Sequence, residues 1–349
     1  MSTPRAAAET DPRRERVGGE RWLFSAGLLA FCGAIAARQL GDFDLPWHIA
    51  LGRAMAEMGS IPKLDPLAFT HQRITFLEPL SELPLYELWK SGGALPLQIF
   101  GALFSAGMGF LLFRQLRARG PIAYLATGLA LAGMNSWMVV RPATISFFLI
   151  ALTLALIEWH RRSESPRTRR YIVWSWPPLA LVWANVHGFA FIGIGLCIVY
   201  AAYRVGCRLA RGRLGALLPE GDASDANSAL LAALLAGVAA LVNAAGPFAR
   251  LGPSRLLSTN PAARYELERV TENALPSVDF YLRHEPLGPV LALLAIAGLW
   301  FGTDRDGKRG RPTLFEIALV LLGCLGFVTM VRSVPLGVLL VTPVLASRW

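Results

Sequence analysis

The stretch Gly41-Asp42-Phe43-Asp44-Leu45-Pro46-Trp47-His48 gathers two carboxylates and an imidazole into seven consecutive positions. In an extended backbone, residues two apart project to the same side. Asp42 and Asp44 could therefore face one substrate, or one divalent cation such as Mg2+ or Mn2+ held by hard oxygen ligands. His48 follows Asp44 by four residues and shares its face if a helix begins near Leu45, as a second ligand or a substrate contact. Asp44 as cap and Pro46 in the first turn would start such a helix well. A capped helix with no chemistry uses the same residues, so the cluster needs its surroundings to be read.

Four more groups lie where apolar runs end. Arg141 precedes Pro142, and Arg332 precedes the last apolar run. A guanidinium there could grip a phosphate through a forked contact, or simply snorkel to the membrane surface. Asn185 and His187 are polar groups in an apolar hairpin. They could bind a phosphate or a sugar hydroxyl, or cap the tight turn against each other.

The elements that must position these groups are apolar helices. The chain is 54% hydrophobic with a mean hydropathy of +0.44, carried in repeated long runs. That is the composition of an all-α polytopic membrane protein. About ten spans are expected, near 22–37, 95–113, 122–140, 143–158, 172–186, 188–203, 228–243, 287–301, 314–331 and 334–347, forming one domain over 22–347 behind a basic tail, 1–21. Arginines crowd the tail, 114–119, 161–170, 204–213 and 305–311. Positive charge in short connections on one face sets the orientation, N-terminus in the cytoplasm, with the acidic cluster outside. The net charge of +10 then reads as topology and anionic lipid contact, not nucleic-acid binding. Ala34-Ile35-Ala36 resembles a signal-peptidase site, but the acidic residues of the preceding tail suit a cytoplasmic segment better. Cys32, Cys197, Cys207 and Cys324 have no metal-ligand spacing and are expected to pack as small residues.

Two outside loops, 38–94 and 244–285, are long enough to carry function. In the first, Trp47, Leu51, Met55 and Met58 recur at helical spacing, which suits an interfacial helix with Arg53 and Glu57 turned to water. A second short interfacial helix is expected around Pro84 to Lys90, ending at Gly92-Gly93. In the second loop, residues 265–269 and 279–285 mix charge and aromatics, which suits a solvated lid and also an acceptor site, the lid being the favoured reading. His71 and His160 receive no role.

The pattern Asp42-x-Asp44-x-x-Trp47-His48-x-x-x-Gly52, then Gly59-x-Ile61-Pro62-x-x-Asp65-Pro66-x-x-Phe69-Thr70, resembles the first outside loop of a family of bacterial multi-span proteins. That family is similar to the glycosyltransferase C superfamily, whose members include protein O-mannosyltransferases. Arg141-Pro142, Trp183-Ala184-Asn185-x-His187-Gly188, Leu241-x-Asn243 and Arg332-x-x-Pro335 continue the likeness over roughly 22–347. The resemblance implies a bacterial inner-membrane enzyme that moves a sugar, with inversion, from a polyprenyl-phosphate carrier to an acceptor on the extracytoplasmic face. It implies Asp42 as base, Asp44 orienting the acceptor or ligating a divalent ion, and Arg141 or Arg332 holding the phosphate. Members carry an acid followed by tryptophan late in the first loop, where this chain reads Glu78-Pro79-Leu80; that weakens any role for Glu78. Many also continue into a soluble C-terminal domain, whereas this sequence ends at Trp349, which would leave acceptor recognition to the loops or to a membrane partner. Two other classes compete: a non-catalytic relative that binds a lipid or protein partner, and a transporter. The acids of the spans, Glu158 and Glu316, fall near cytoplasmic ends, and an ion-coupled carrier would want carboxylates at mid-membrane.

Overall fold

The computed structural model describes residues 22–67 except 24, 32, 36 and 39, together with 78–116, 121–210, 224–246, 275–303 and 311–349. The basic tail, His71 and residues 265–269 lie outside that set. Every regular element in it is helical. The helices from Leu45 onward are α1 (Leu45–Met58), α2 (Pro79–Gly92), α3 (Ala94–Leu116), α4 (Pro121–Gly133), α5 (Pro142–Arg162), α6 (Pro166–Trp174), α7 (Trp176–Val186), α8 (Ala190–Ala210), α9 (Ala226–Ala240), α10 (Val278–Arg283), α11 (Leu287–Phe301), α12 (Leu314–Thr329) and α13 (Val334–Arg348).

Three of them, α3, α5 and α8, are long and apolar enough to cross a membrane. At 1.5 Å per residue each exceeds the roughly 30 Å of a hydrocarbon core. The shorter apolar helices α4, α9, α11, α12 and α13 pack around them. This is a helical membrane protein. Of the three spanning helices α5 is the most enclosed, with thirteen buried residues from Pro142 to His160. Close approach elsewhere comes from small residues, as membrane helices require. The buried face of α9 is Ala229, Ala232, Ala233, Ala236 and Ala240, and Gly323, Gly326 and Gly337 bring α12 and α13 together.

Polar contacts divide the bundle into two ends. At one, Ser81 donates to the carbonyl of Val186, Asn185 reaches Val242 beyond α9, and the Trp137 indole donates to Glu285 ahead of α11. At the other, Arg162 donates to the carbonyl of Gln115, Arg204 meets Asp225, and Glu316 meets Arg348. Successive helices of the bundle therefore run antiparallel, with α6 and α7 forming one pass. Their break falls at Ser175 because Pro177 and Pro178 have no N–H to donate and are tolerated only in a first turn.

Four local expectations change. The run 172–186 is not one helix but α6 and α7, and the helix expected over 122–140 ends at Gly133, with a 3-10 turn at Asn135–Trp137. α2 starts at Pro79, five residues before Pro84, which the helix carries inside. The apolar residues of α1 do not form a lipid-facing stripe: Leu51 and Met55 are buried against protein, packed on Leu83 and Ala244, while Met58 is exposed. Arg53 and Glu57 do turn to water, as an exposed pair 2.7 Å apart.

α1 lies on α2 backbone to backbone. A methyl group on Gly52 would sit 2.2 Å from the Glu82 carbonyl oxygen, so only glycine permits this contact. Gly52→Ala should lower the thermal unfolding midpoint, by a cost on the order of 1–3 kcal/mol for overpacking. An unchanged midpoint would show that the two helices can part without loss.

Candidate functional site

Asp42 folds back on its own chain before it faces anything else. Its Oδ1 accepts the Asp44 backbone N–H at 2.8 Å, the Asx turn that short acidic side chains favour. Its Oδ2 lies 3.5 Å from Nη1 of Arg141, with the side chains 8% and 11% exposed. Arg141 holds its place because a residue before proline is driven to extended backbone, here φ −158°. The guanidinium sits 5.6 Å over the Trp137 ring, a cation–π contact. The Trp137 indole N–H in turn donates to Glu285 Oε1 at 3.1 Å. Glu285 is 4% exposed. Burial pushes its carboxyl above the usual range, and hydrogen bonds from Ser136 and Trp137 offset only part of that.

Asp42 and Asp44 therefore sit in different surroundings. Asp44 has φ −83° and ψ −21°, not extended backbone, and its side chain is exposed and makes no cap bond at the α1 N-terminus. Between the two aspartates Phe43 is 98% exposed.

His48 turns away from Asp44 toward α2. Its Nδ1 is 3.3 Å from Oε1 of Glu82, which is fully buried. Oε2 of Glu82 accepts the Glu78 backbone N–H at 3.1 Å. Glu78 is buried too, and its Oε1 accepts the backbone N–H of Gly188 at 3.3 Å. The first turn of α2 thus ties the His48 face of α1 to the turn between α7 and α8. In that turn His187 accepts the Phe189 N–H on its own Nδ1 at 3.2 Å and packs edge-on to the Phe189 ring.

Asn185 does not cap His187. Its amide donates to the carbonyls of Leu181 and Val242, and its oxygen accepts from Ala244, each at 3.0 Å. The bonds to Val242 and Ala244 tie α7 to the end of α9. Arg332 sits half-buried in the 3-10 turn Val331–Ser333 at the same end of the bundle.

Spacing alone does not disclose Glu82, Glu78, Trp137 or Glu285. The available signal was the four-residue separation of Glu78 from Glu82, which brings the pair together in the first turn of α2. A divalent ion finds little to hold it. Among the described residues no three His, Cys, Asp or Glu side chains converge as a metal set, Asp44 lies in solvent, and Nδ1 of His48 faces Glu82.

Comparison of the chain with protein-family models, with curated proteins and with solved structures finds no match.

Proposed function

We propose that this protein is an inner-membrane glycosyltransferase of the glycosyltransferase C type, with about ten crossings and its N-terminus in the cytoplasm. Its donor is a sugar on a polyprenyl phosphate and its acceptor is an extracytoplasmic hydroxyl. The observation that carries this reading is the ion pair of Asp42 and Arg141, nearly enclosed and backed by Trp137, at one end of an apolar bundle. A buried pair of this kind is costly to maintain for stability alone. A sugar-charged carrier entering there brings a singly charged phosphodiester to Arg141 in place of the Asp42 carboxylate, and that phosphate becomes a monoester of higher charge once the sugar leaves. Arg141 then stabilises the charge that grows on the phosphate as the sugar departs. Asp42 becomes available to the acceptor only once Arg141 has turned to the phosphate.

The direct test is release of free polyprenyl phosphate when purified protein in lipid is offered sugar-charged carriers. Absence of release from every carrier would favour the non-catalytic lipid binder. That alternative draws on one observation, that Asp42 is already satisfied by Arg141 and Asp44.

Orientation is tested separately. With the native cysteines replaced, Asp65→Cys and Leu275→Cys should react with an impermeant maleimide in sealed cells, and Ser165→Cys should not. Labelling at position 165 would put the Asp42 end in the cytoplasm and rule out the extracytoplasmic acceptor.

A further inference from the structure

We propose that His48, fixed by Glu82, is the group that takes the acceptor's proton, with Asp42 acting as the positioning partner of Arg141. The proposal rests on the glycosyl-transfer reading above and changes which group is the base.

The argument begins with Glu82. Its side chain is 0% exposed, and its two oxygens are engaged from opposite sides by the Glu78 N–H and the His48 ring. Carboxylate oxygens accept, so the proton of the His48–Glu82 contact belongs on Nδ1. A neutral imidazole carries one proton, and Nε2 is left as the bare nitrogen. Among the described residues Nε2 has no partner. The side chain keeps 12% exposure, so the ring is not fully enclosed. The ring cannot tumble freely: Trp47 packs against it at 5.1 Å, edge to face.

A buried carboxylate that fixes a histidine tautomer and leaves the far nitrogen open is the arrangement by which imidazoles serve as general bases. Asp42 is arranged for the opposite purpose. It is enclosed, it accepts its own chain's Asp44 N–H, and it neutralises Arg141. His48 stands one helical turn from the Asp44 cap position, on the same short helix that follows Asp42.

In the step this implies, the acceptor O–H proton passes to Nε2, giving an imidazolium beside the Glu82 carboxylate. The acceptor oxygen bonds to the sugar C1, the C1–O bond to phosphate breaks, and its electron pair leaves with the phosphate. No other reactant is needed. The class of acceptor follows, since a hydroxyl needs a base to make it nucleophilic.

Two readouts test this. Protein labelled with 15N-histidine in nanodiscs, in mildly alkaline buffer, should show His48 protonated at Nδ1 and bare at Nε2, the resonance being assigned by its loss in His48→Gln. Glu82→Leu should move that proton to Nε2, whereas Glu82→Gln, whose amide oxygen still accepts, should keep it on Nδ1. In the carrier assay, His48→Gln should lower kcat by about 10²- to 10⁴-fold, the range for positioned proton transfer, with little change in the KM for the carrier. Glu82→Gln should retain part of the turnover that Glu82→Leu loses. Wild-type His48 protonated at Nε2 would overturn the proposal, and that measurement needs only the assignment variant His48→Gln to fold. Turnover that survives His48→Gln would overturn the base assignment and leave glycosyl transfer standing. The predicted tautomer with no turnover on any carrier would sink glycosyl transfer itself, and the base role with it.

Discussion

Arg141→Leu should reduce release of free polyprenyl phosphate by about 10²- to 10³-fold, the loss expected when one preorganised donor to a developing oxyanion is removed. Arg141→Lys should recover only a small part, because an ammonium offers a point charge where the phosphate and Asp42 meet a planar fork. The variant also strands Asp42, whose side chain is 8% exposed. Breaking a buried pair costs about 3–5 kcal/mol; the residual exposure of both partners puts this case near the lower bound. Catalysis and folding can be separated with the double variant. Arg141→Leu with Asp42→Asn removes the stranded charge, so the thermal midpoint should return toward wild type while turnover stays lost. If turnover returns along with the midpoint, the arginine is a structural group and carries no phosphate.

The second large effect lies at the other end of the bundle. Asp225, just ahead of α9, stands 2.6 Å from Nε2 of His160 on α5, 2.7 Å from Nη2 of Arg204 on α8 and 4.0 Å from Nε of Arg169 on α6. His160 is wholly buried and its Nδ1 lies 2.8 Å from the Tyr200 hydroxyl. One carboxylate thus serves basic groups from three helices. Asp225→Ala should cost about 3–5 kcal/mol, since it leaves those groups buried without their counter-ion. Asp225→Asn, which still accepts hydrogen bonds, should cost less.

Acid should reveal the same carboxylate. Burial by itself would raise the Asp225 pKa, yet hydrogen bonds from His160 and Arg204 bring it down to about 2. A carboxyl depressed on folding contributes stability that is complete above its unfolded pKa of about 3.9 and disappears as pH falls through the folded value. The melting midpoint of the wild type should therefore drop between about pH 4 and pH 2 relative to Asp225→Asn. Parallel acid curves for the two proteins would remove Asp225 from the account.

What the sequence discloses depends on how far each signal reaches. Hydropathy is local, so the apolar runs could be read directly, as could the α1 residues Leu51 and Met55, which are buried as their spacing requires. Direction is harder than periodicity: the same stripe suits lipid or protein, and Gly52 against Glu82 decided for protein. Pro84 looked like a helix start because proline favours first turns, but Pro79 was already in that place. The partnership of Asp42 with Arg141 spans 99 positions, and no spacing rule connects residues that far apart. Asp42 and Asp44 show the reverse limit. Their separation of two was read as shared direction, and a single turn of backbone sent one inward and the other to solvent.

The polar ties at the Asp42 end of the bundle also set a timetable. Ser81 bonds to Val186 across 105 positions, Gly188 to Glu78 across 110, and Trp137 to Glu285 across 148. At a synthesis rate of about 5–20 residues per second, each early partner waits on the order of 5–30 seconds for its mate to leave the ribosome. Nascent chains arrested before residue 186 should therefore expose the segment around Glu78 to protease, and chains arrested well past residue 188 should protect it. In biogenesis this segment is a late-closing seam, and the interval before it closes is when a chaperone or insertase would have to shield it.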